Sequence, residues 1–162
     1  DLGAAPGGWS EYAIKRVGPG GRVVAVDRLP LEPLAGVEFI QGDFTDPRVL
    51  DLVKERLPDG ADLVISDMAP NMTGVAATDQ ARGAELAQLA TDLAEDVLRP
   101  GGALLVKAFH GSGFEELRRR LRGAFSSVAA RKPGASRAES REVYLLARGY
   151  SGKRPAGPED PL

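Results

Sequence analysis

Apolar and polar positions along the chain alternate between a two-residue and a 3.6-residue period, and each switch marks a predicted element. Gly21 to Asp27 carries the β-branched run Val23-Val24-Ala25-Val26 and ends on an acid. Val37 to Gln41 alternates as a half-buried strand does, and Asp43 follows it. From Pro47 to Leu57, Val49, Leu50, Val53 and Leu57 fall on one helical face. Ala61 to Ser66 has the composition of a buried strand and is again followed by an acid, Asp67. Thr78 to Leu98 is the longest predicted helix, with Leu86, Leu89, Ala90, Leu93, Ala94 and Val97 in register. Thr78 or Asp79 is its expected cap, and Pro100-Gly101-Gly102 its expected end. Ala103 to Phe109 is a further strand, Gly113 to Phe125 an amphipathic helix, and Ser127 to Arg131 and Glu142 to Ala147 the final two strands.

Strands alternating with helices imply a mostly parallel, doubly wound α/β sheet. The loop between the last two strands is too short for a crossover helix, so they are expected to pair antiparallel. A reversed strand at the end of a parallel sheet separates Rossmann-like folds of the methyltransferase type from the dinucleotide type. Asp1-Leu2-Gly3 reads as the exit of a strand, so the expected sheet has seven strands, with the first truncated and its beginning upstream. The expected domain covers residues 1–149. The segment from 150 to 162 is rich in Gly, Pro and charge without periodicity, and is expected to be disordered.

Composition narrows the chemistry. The 162 residues are 43% hydrophobic and 27% charged, an ordinary globular profile with room for one core. There is no cysteine and only one histidine, His110, which excludes thiolate zinc and multi-histidine metal sites. No apolar run approaches the roughly 20 residues of a membrane span, and no leader-like segment is visible, so the expected compartment is the cytoplasm. The net charge is −2, so any nucleic-acid binding must rest on a local basic face. Basic residues do cluster late, at Arg118, Arg119, Arg120, Arg122, Arg131, Lys132, Arg137 and Arg141. A solvated helix face is the plain alternative.

Ligands of open α/β sheets bind at the carboxyl ends of the strands. The acids at the strand exits therefore converge on one crevice. The turn from Gly3 to Gly8 lets backbone approach a ligand closely, and the next helix offers its first amides. A plain tight turn would look the same. Asp27 can hold the two ribose hydroxyls of a nucleoside, or serve as a turn residue. Asp43 can accept from an adenine amino group, or form an Asx-turn. Taken in order, one per strand, these features suggest an adenosyl ligand, and S-adenosylmethionine fits the strand order better than NAD. Lys107 sits inside the apolar run Ala103-Leu104-Leu105-Val106-Lys107-Ala108-Phe109, where an amine is costly to bury without partners. It either snorkels from the strand end or is held between Asp67 and Glu142, the latter otherwise a surface carboxylate. Burial would favour a neutral amine there and the two acids an ammonium, so an orienting role and a basic role both stay open. Tyr144 is expected to face the core.

DLGAAPGGWS, GDF, SDMAPN, PGG with VKAF, and RKPGASRAESREVYLLA together resemble the FtsJ/RlmE-type ribosomal RNA ribose 2′-O-methyltransferases, from Asp1 to about Gly149. The resemblance implies a class I S-adenosylmethionine-dependent enzyme that methylates a uridine 2′-hydroxyl of large-subunit (23S) rRNA in the 50S particle, as a monomer. It implies Asp67, Lys107 and Glu142 as catalytic residues, with a further lysine expected upstream of Asp1. It implies Gly7, Trp9, Asp27, Asp43 and Asp67 as cofactor contacts. Arg131, Lys132, Arg137 and Arg141 are then expected to follow RNA phosphates. Alternatives on the same fold are a methyltransferase of tRNA or the mRNA cap, a small-molecule methyltransferase, and a non-catalytic RNA-binding assembly factor.

Overall fold

The computed structural model describes residues 1–134 and 140–153. Its elements in chain order are α1 (Gly8–Val17), β1 (Val23–Asp27), β2 (Val37–Gln41), α2 (Pro47–Arg56), β3 (Ala61–Ser66), α3 (Ala76–Val97), β4 (Leu98–Phe109), α4 (Phe114–Ala124), β5 (Phe125–Arg131) and β6 (Glu142–Tyr150). β1 pairs parallel with β2, and β3 parallel with β4. β6 runs antiparallel to both β4 and β5 and lies between them. Leu2 makes parallel bridges to both Val26 and Ser66, so it occupies the place between β1 and β3. The order is thus β2-β1-Leu2-β3-β4-β6-β5, with six strands among the described residues and one residue in the seventh lane. The expected reversed strand is present.

Period-two alternation builds the core. Leu104, Val106 and Ala108 of β4 and Val143, Leu145 and Ala147 of β6 are buried. They belong to one cluster with Ala87, Ala90, Leu93 and Ala94 of α3 and Leu117, Leu121 and Ala124 of α4. Alanines on α3 let that helix approach the sheet closely, and each buried leucine contributes about 2 kcal/mol by leaving water. The intervening positions, Leu105, Lys107 and Phe109 of β4 and Glu142, Tyr144 and Leu146 of β6, are only partly buried. Lys107 therefore stands away from the core while its strand neighbours enter it.

Several boundaries differ from expectation. α3 begins at Ala76, and neither Thr78 nor Asp79 caps it. Asp79 instead reaches back, accepting from Thr73 N at 2.8 Å, Thr73 Oγ1 at 2.7 Å and Gly74 N at 3.1 Å. A buried carboxylate needs donors, and the loop's amides supply them. β4 begins at Leu98, directly after α3, with Pro100-Gly101-Gly102 inside it. At the other end, Ser151 N donates to Ala124 O, tying the end of β6 to the end of α4. Disorder is expected from residue 150, but Tyr150 is the buried last residue of β6, because its ring packs into the core; residues 154–162 lie outside the described residues. Among the described residues, no helix is long and apolar enough to cross a membrane.

Candidate active site

The strand ends bring Asp67, Lys107 and Glu142 together. Asp67 follows β3, Lys107 lies two residues before the end of β4, and Glu142 opens the antiparallel β6 opposite Phe109. Lys107 Nζ is 3.0 Å from Asp67 Oδ1 and 3.9 Å from Glu142 Oε1. The lysine side chain is 10% exposed, the two carboxylates 32% and 40%. The amine is thus sheltered while its partners still meet solvent, an arrangement that leaves room for a further polar atom beside Nζ.

Tyr144 corrects one expectation. It does not face the core. Two residues beyond Glu142 in β6, it lies on the same face, directly across from Lys107 in the β4–β6 register. Its hydroxyl donates to Asp67 Oδ1. Burial, and then the bond to Asp67, push the phenol well above its ordinary value, so it stays a donor at neutral pH. Its ring also meets Trp9, with centroids 5.6 Å apart and planes tilted 31°. Trp9 is the second residue of α1, so this contact joins the lysine centre to the glycine-rich turn. Strand alternation alone places residues 142 and 144 on one face; that signal was available in the sequence.

The glycine-rich turn hangs on the end of β1. Gly3 N and Ala4 N both donate to Val26 O, and Ala5 N donates to Asp27 Oδ2 at 2.9 Å. Gly7 has φ of 112°, and a Cβ there would come within 2.9 Å of Leu31 Cδ1, so only glycine fits without strain. A Cβ on Gly8 would meet nothing within 4 Å, so the first turn of α1 borders open space. No side chain caps that helix, which leaves its first amides for a ligand. Asp27 Oδ1 accepts from Leu29 N at 2.8 Å, leaving each carboxylate oxygen with acceptor capacity. Gly42 N donates to Asp27 O, setting the ends of β1 and β2 side by side.

Asp43 does form an Asx-type turn. Its Oδ1 accepts from Thr45 Oγ1 at 2.7 Å and Thr45 N at 2.9 Å, which holds its carboxyl below the usual range. Its Oδ2 lies 3.8 Å from Arg28. Leu29, 64% exposed beside these acids, offers an apolar face that the sequence reading did not single out.

The basic residues divide. Arg131 and Arg141 are exposed. Lys132 Nζ donates to Ser140 O at 2.9 Å. Arg137 lies outside the described residues. Arg120 is no part of a solvated face: it enters the α3–α4 seam and binds Glu95, Asp92 and Gln88. Among the described residues, no group of three or more His, Cys, Asp or Glu side chains could hold a metal ion.

Comparison with known proteins places this crevice in a lineage. The profile of FtsJ-like methyltransferases matches residues 1–150, nearly all of the chain. The chain belongs to the FtsJ-like methyltransferase family. Over 152 residues it is 57% identical to the ribosomal RNA large subunit methyltransferase E of Marinobacter nauticus, covering 93% of this chain and 73% of that protein. A crystal structure from Plasmodium falciparum, described as a ribosomal RNA methyltransferase, superposes with a TM-score of 0.84 at 29% identity, covering 94% of this chain and 86% of that one. The O-methyltransferase TomG of Streptomyces achromogenes, solved with S-adenosylmethionine, shares the fold with a TM-score of 0.60 at 17% identity, covering 93% of this chain and 71% of that one. Within this FtsJ-like chain, Asp67, Lys107 and Glu142 converge from three separate strand ends, and Tyr144 is the fourth member of the cluster.

Proposed function

We propose that this protein transfers a methyl group from S-adenosylmethionine to a ribose 2′-hydroxyl of large-subunit ribosomal RNA, at a uridine within the assembled particle. The observation that carries the reading is the amine of Lys107, sheltered between Asp67 and Glu142 in a chain that is 57% identical to a ribosomal RNA large subunit methyltransferase.

The residues fit the cofactor. Asp27 offers acceptor capacity for ribose hydroxyls, Asp43 and Leu29 a polar and an apolar contact for adenine, and the open first turn of α1 free amides for a carboxylate. Gly7 shapes that turn, and Trp9 and Asp67 border the path toward Lys107. Bound S-adenosylmethionine supplies an electrophilic methyl on a good leaving group.

The chain's own work is positioning and proton management. Lys107 Nζ donates to the 2′-oxygen and points one of its lone pairs along the line of attack, at a separation of about 3 Å. Asp67 fixes the amine and is itself fixed by Tyr144. Glu142, more exposed, holds the amine from the other side. The hydroxyl proton leaves late, once the oxygen has begun to bond and become acidic, and passes to solvent water. A lysine acting as base before attack is the competing order of events. Arg131 and Arg141 meet RNA phosphates at the mouth, and that binding weakens steeply with salt.

The test is transfer of labelled methyl to undermethylated large subunits, to free large-subunit rRNA and to tRNA, followed by alkaline hydrolysis. Label in an alkali-stable dinucleotide from the large subunit supports the reading, because a 2′-O-methyl group blocks cleavage at that phosphate. Label on a base, or transfer to tRNA in preference, overturns it.

A further inference from the structure

Besides the lysine centre, a cavity of about 310 Å³ opens beside Glu142, lined by Met72, Ala76, Gln80, Phe109 and Arg141 among others. We propose that this cavity seats the base of the nucleotide whose ribose lies against Lys107; the inference rests on the RNA ribose-methyltransferase reading above. Three observations carry it.

The first is position. Glu142 belongs to both places: its carboxylate is 3.9 Å from Lys107 Nζ and also lines the cavity. A base and the 2′-oxygen of its own ribose hang from adjacent sugar carbons. Wherever the oxygen is held at Lys107, the base must fall within a few ångströms.

The second is the wall. Met72 is 71% exposed, yet it stands on a loop pinned by the buried Asp79 through Thr73 and Gly74. An exposed thioether on a fixed loop, facing a cavity shared with Phe109, is suited to cover an aromatic ring. Gln80 packs against the 110–111 turn, since a Cβ on Gly111 would come within 2.5 Å of its Oε1. Its amide offers one donor and one acceptor face to a base edge, whereas both oxygens of Asp79 already accept from the loop.

The third is size and charge. The volume is at the lower end for ligand pockets, suited to a single nucleoside. Arg141, exposed at the rim, supplies a cation for the attached phosphate. A nucleotide extruded from its stack needs such a seat, since a 2′-hydroxyl in a stacked helix is hard to align for attack.

The test uses the whole protein with an RNA bearing 5-iodouridine at the target position, with kinetics on the unmodified RNA. Ala76→Phe fills the cavity from the first turn of α3, and Met72→Ser removes its cover. Ala76→Phe lowers kcat/KM for RNA by roughly a hundredfold. Met72→Ser raises KM for RNA about fivefold, as loss of one thioether–ring contact does. Both keep the cofactor dissociation constant and the unfolding midpoint of the parent. Photocrosslinks map to the peptides holding Met72 or Phe109. Ala76→Phe at parental kcat/KM, or crosslinks that map elsewhere, overturns the proposal. Should the parent protein methylate no RNA, the functional reading fails by itself, and the crosslink map still decides what the cavity holds.

Discussion

Two of the cations held between acids among the described residues, Arg120 and Lys107, differ in how closely their neighbours bind them. Arg120 sits in the α3–α4 seam with each of its three nitrogens bonded: Nε and Nη2 bind Glu95 at 3.2 and 2.6 Å, Nη2 binds Asp92 at 2.7 Å, and Nη1 binds Gln88 at 3.0 Å. Burial works against its charge, but the bonds from Glu95 and then Asp92 outweigh that and hold the guanidinium above its ordinary value. The Glu95 side chain is fully buried. Lys107 has one close partner at 3.0 Å and one at 3.9 Å, both in contact with solvent. A planar fork bonded at all three nitrogens staples two helices. A point charge left partly unsatisfied beside a crevice can act on something that arrives. The same charge pattern binds one cation closely on several sides and leaves the other with one close and one distant partner, and that difference is the ground for proposing chemistry at Lys107.

That contrast can be broken or sharpened by substitution. The largest effect is expected at Lys107: Lys107→Ala lowers single-turnover methyl transfer by at least about 10³-fold, near 4 kcal/mol of barrier, while cofactor affinity stays close to the parent. Arg120→Ala does the reverse. It takes a guanidinium away from a buried glutamate and lowers the unfolding free energy by about 3 kcal/mol in urea titration, while transfer per folded molecule persists. Leucine at both Arg120 and Glu95 recovers much of that loss, which a catalytic pair would not do.

Asp79 gives a pH signature. Its carboxyl is held below the ordinary range by the Thr73 backbone and hydroxyl, then by Gly74. Its contribution to stability is present above the unfolded value of about 4 and is lost as the pH falls through its own lower value. Asp79→Asn removes that part of the acid-side slope in unfolding measured against pH. The smallest effect is at Tyr144, where Tyr144→Phe keeps the ring against Trp9 and loses one donor to Asp67, slowing transfer only several-fold, under about 1 kcal/mol. Because the folded phenol is raised, its contribution to stability is full below about 10 and is lost as the pH climbs toward its own value. Absorbance titration of the parent against Tyr144→Phe shows one tyrosine ionising late.

Much of this was legible in the chain, for identifiable reasons. Asp67, Lys107 and Glu142 could be named because an open α/β sheet sends its strand ends to one edge, so residues far apart in sequence needed only their strand position to be placed. Tyr144 was assigned to the wrong face, although its spacing of two from Glu142 carried the answer; an aromatic residue in an apolar strand looks like core until the register puts Lys107 opposite it. Arg120 counted as one member of a basic cluster, because its partners lie a helix away and no local period encodes a pairing across the α3–α4 seam. Asp79 was read as a cap, and only tertiary structure shows it holding the preceding loop. The cavity beside Glu142 is lined by residues of that loop, the start of α3, the end of β4 and the start of β6, so it exists at no single stretch of sequence.

The most direct measurement is a structure of the protein bound to S-adenosylhomocysteine and an RNA carrying the target nucleotide. The account predicts Lys107 Nζ within about 3.2 Å of the target 2′-oxygen, with Asp67 still on the amine. A 2′-oxygen bound by other groups, with Lys107 turned away to Asp67 and Glu142 alone, would contradict it.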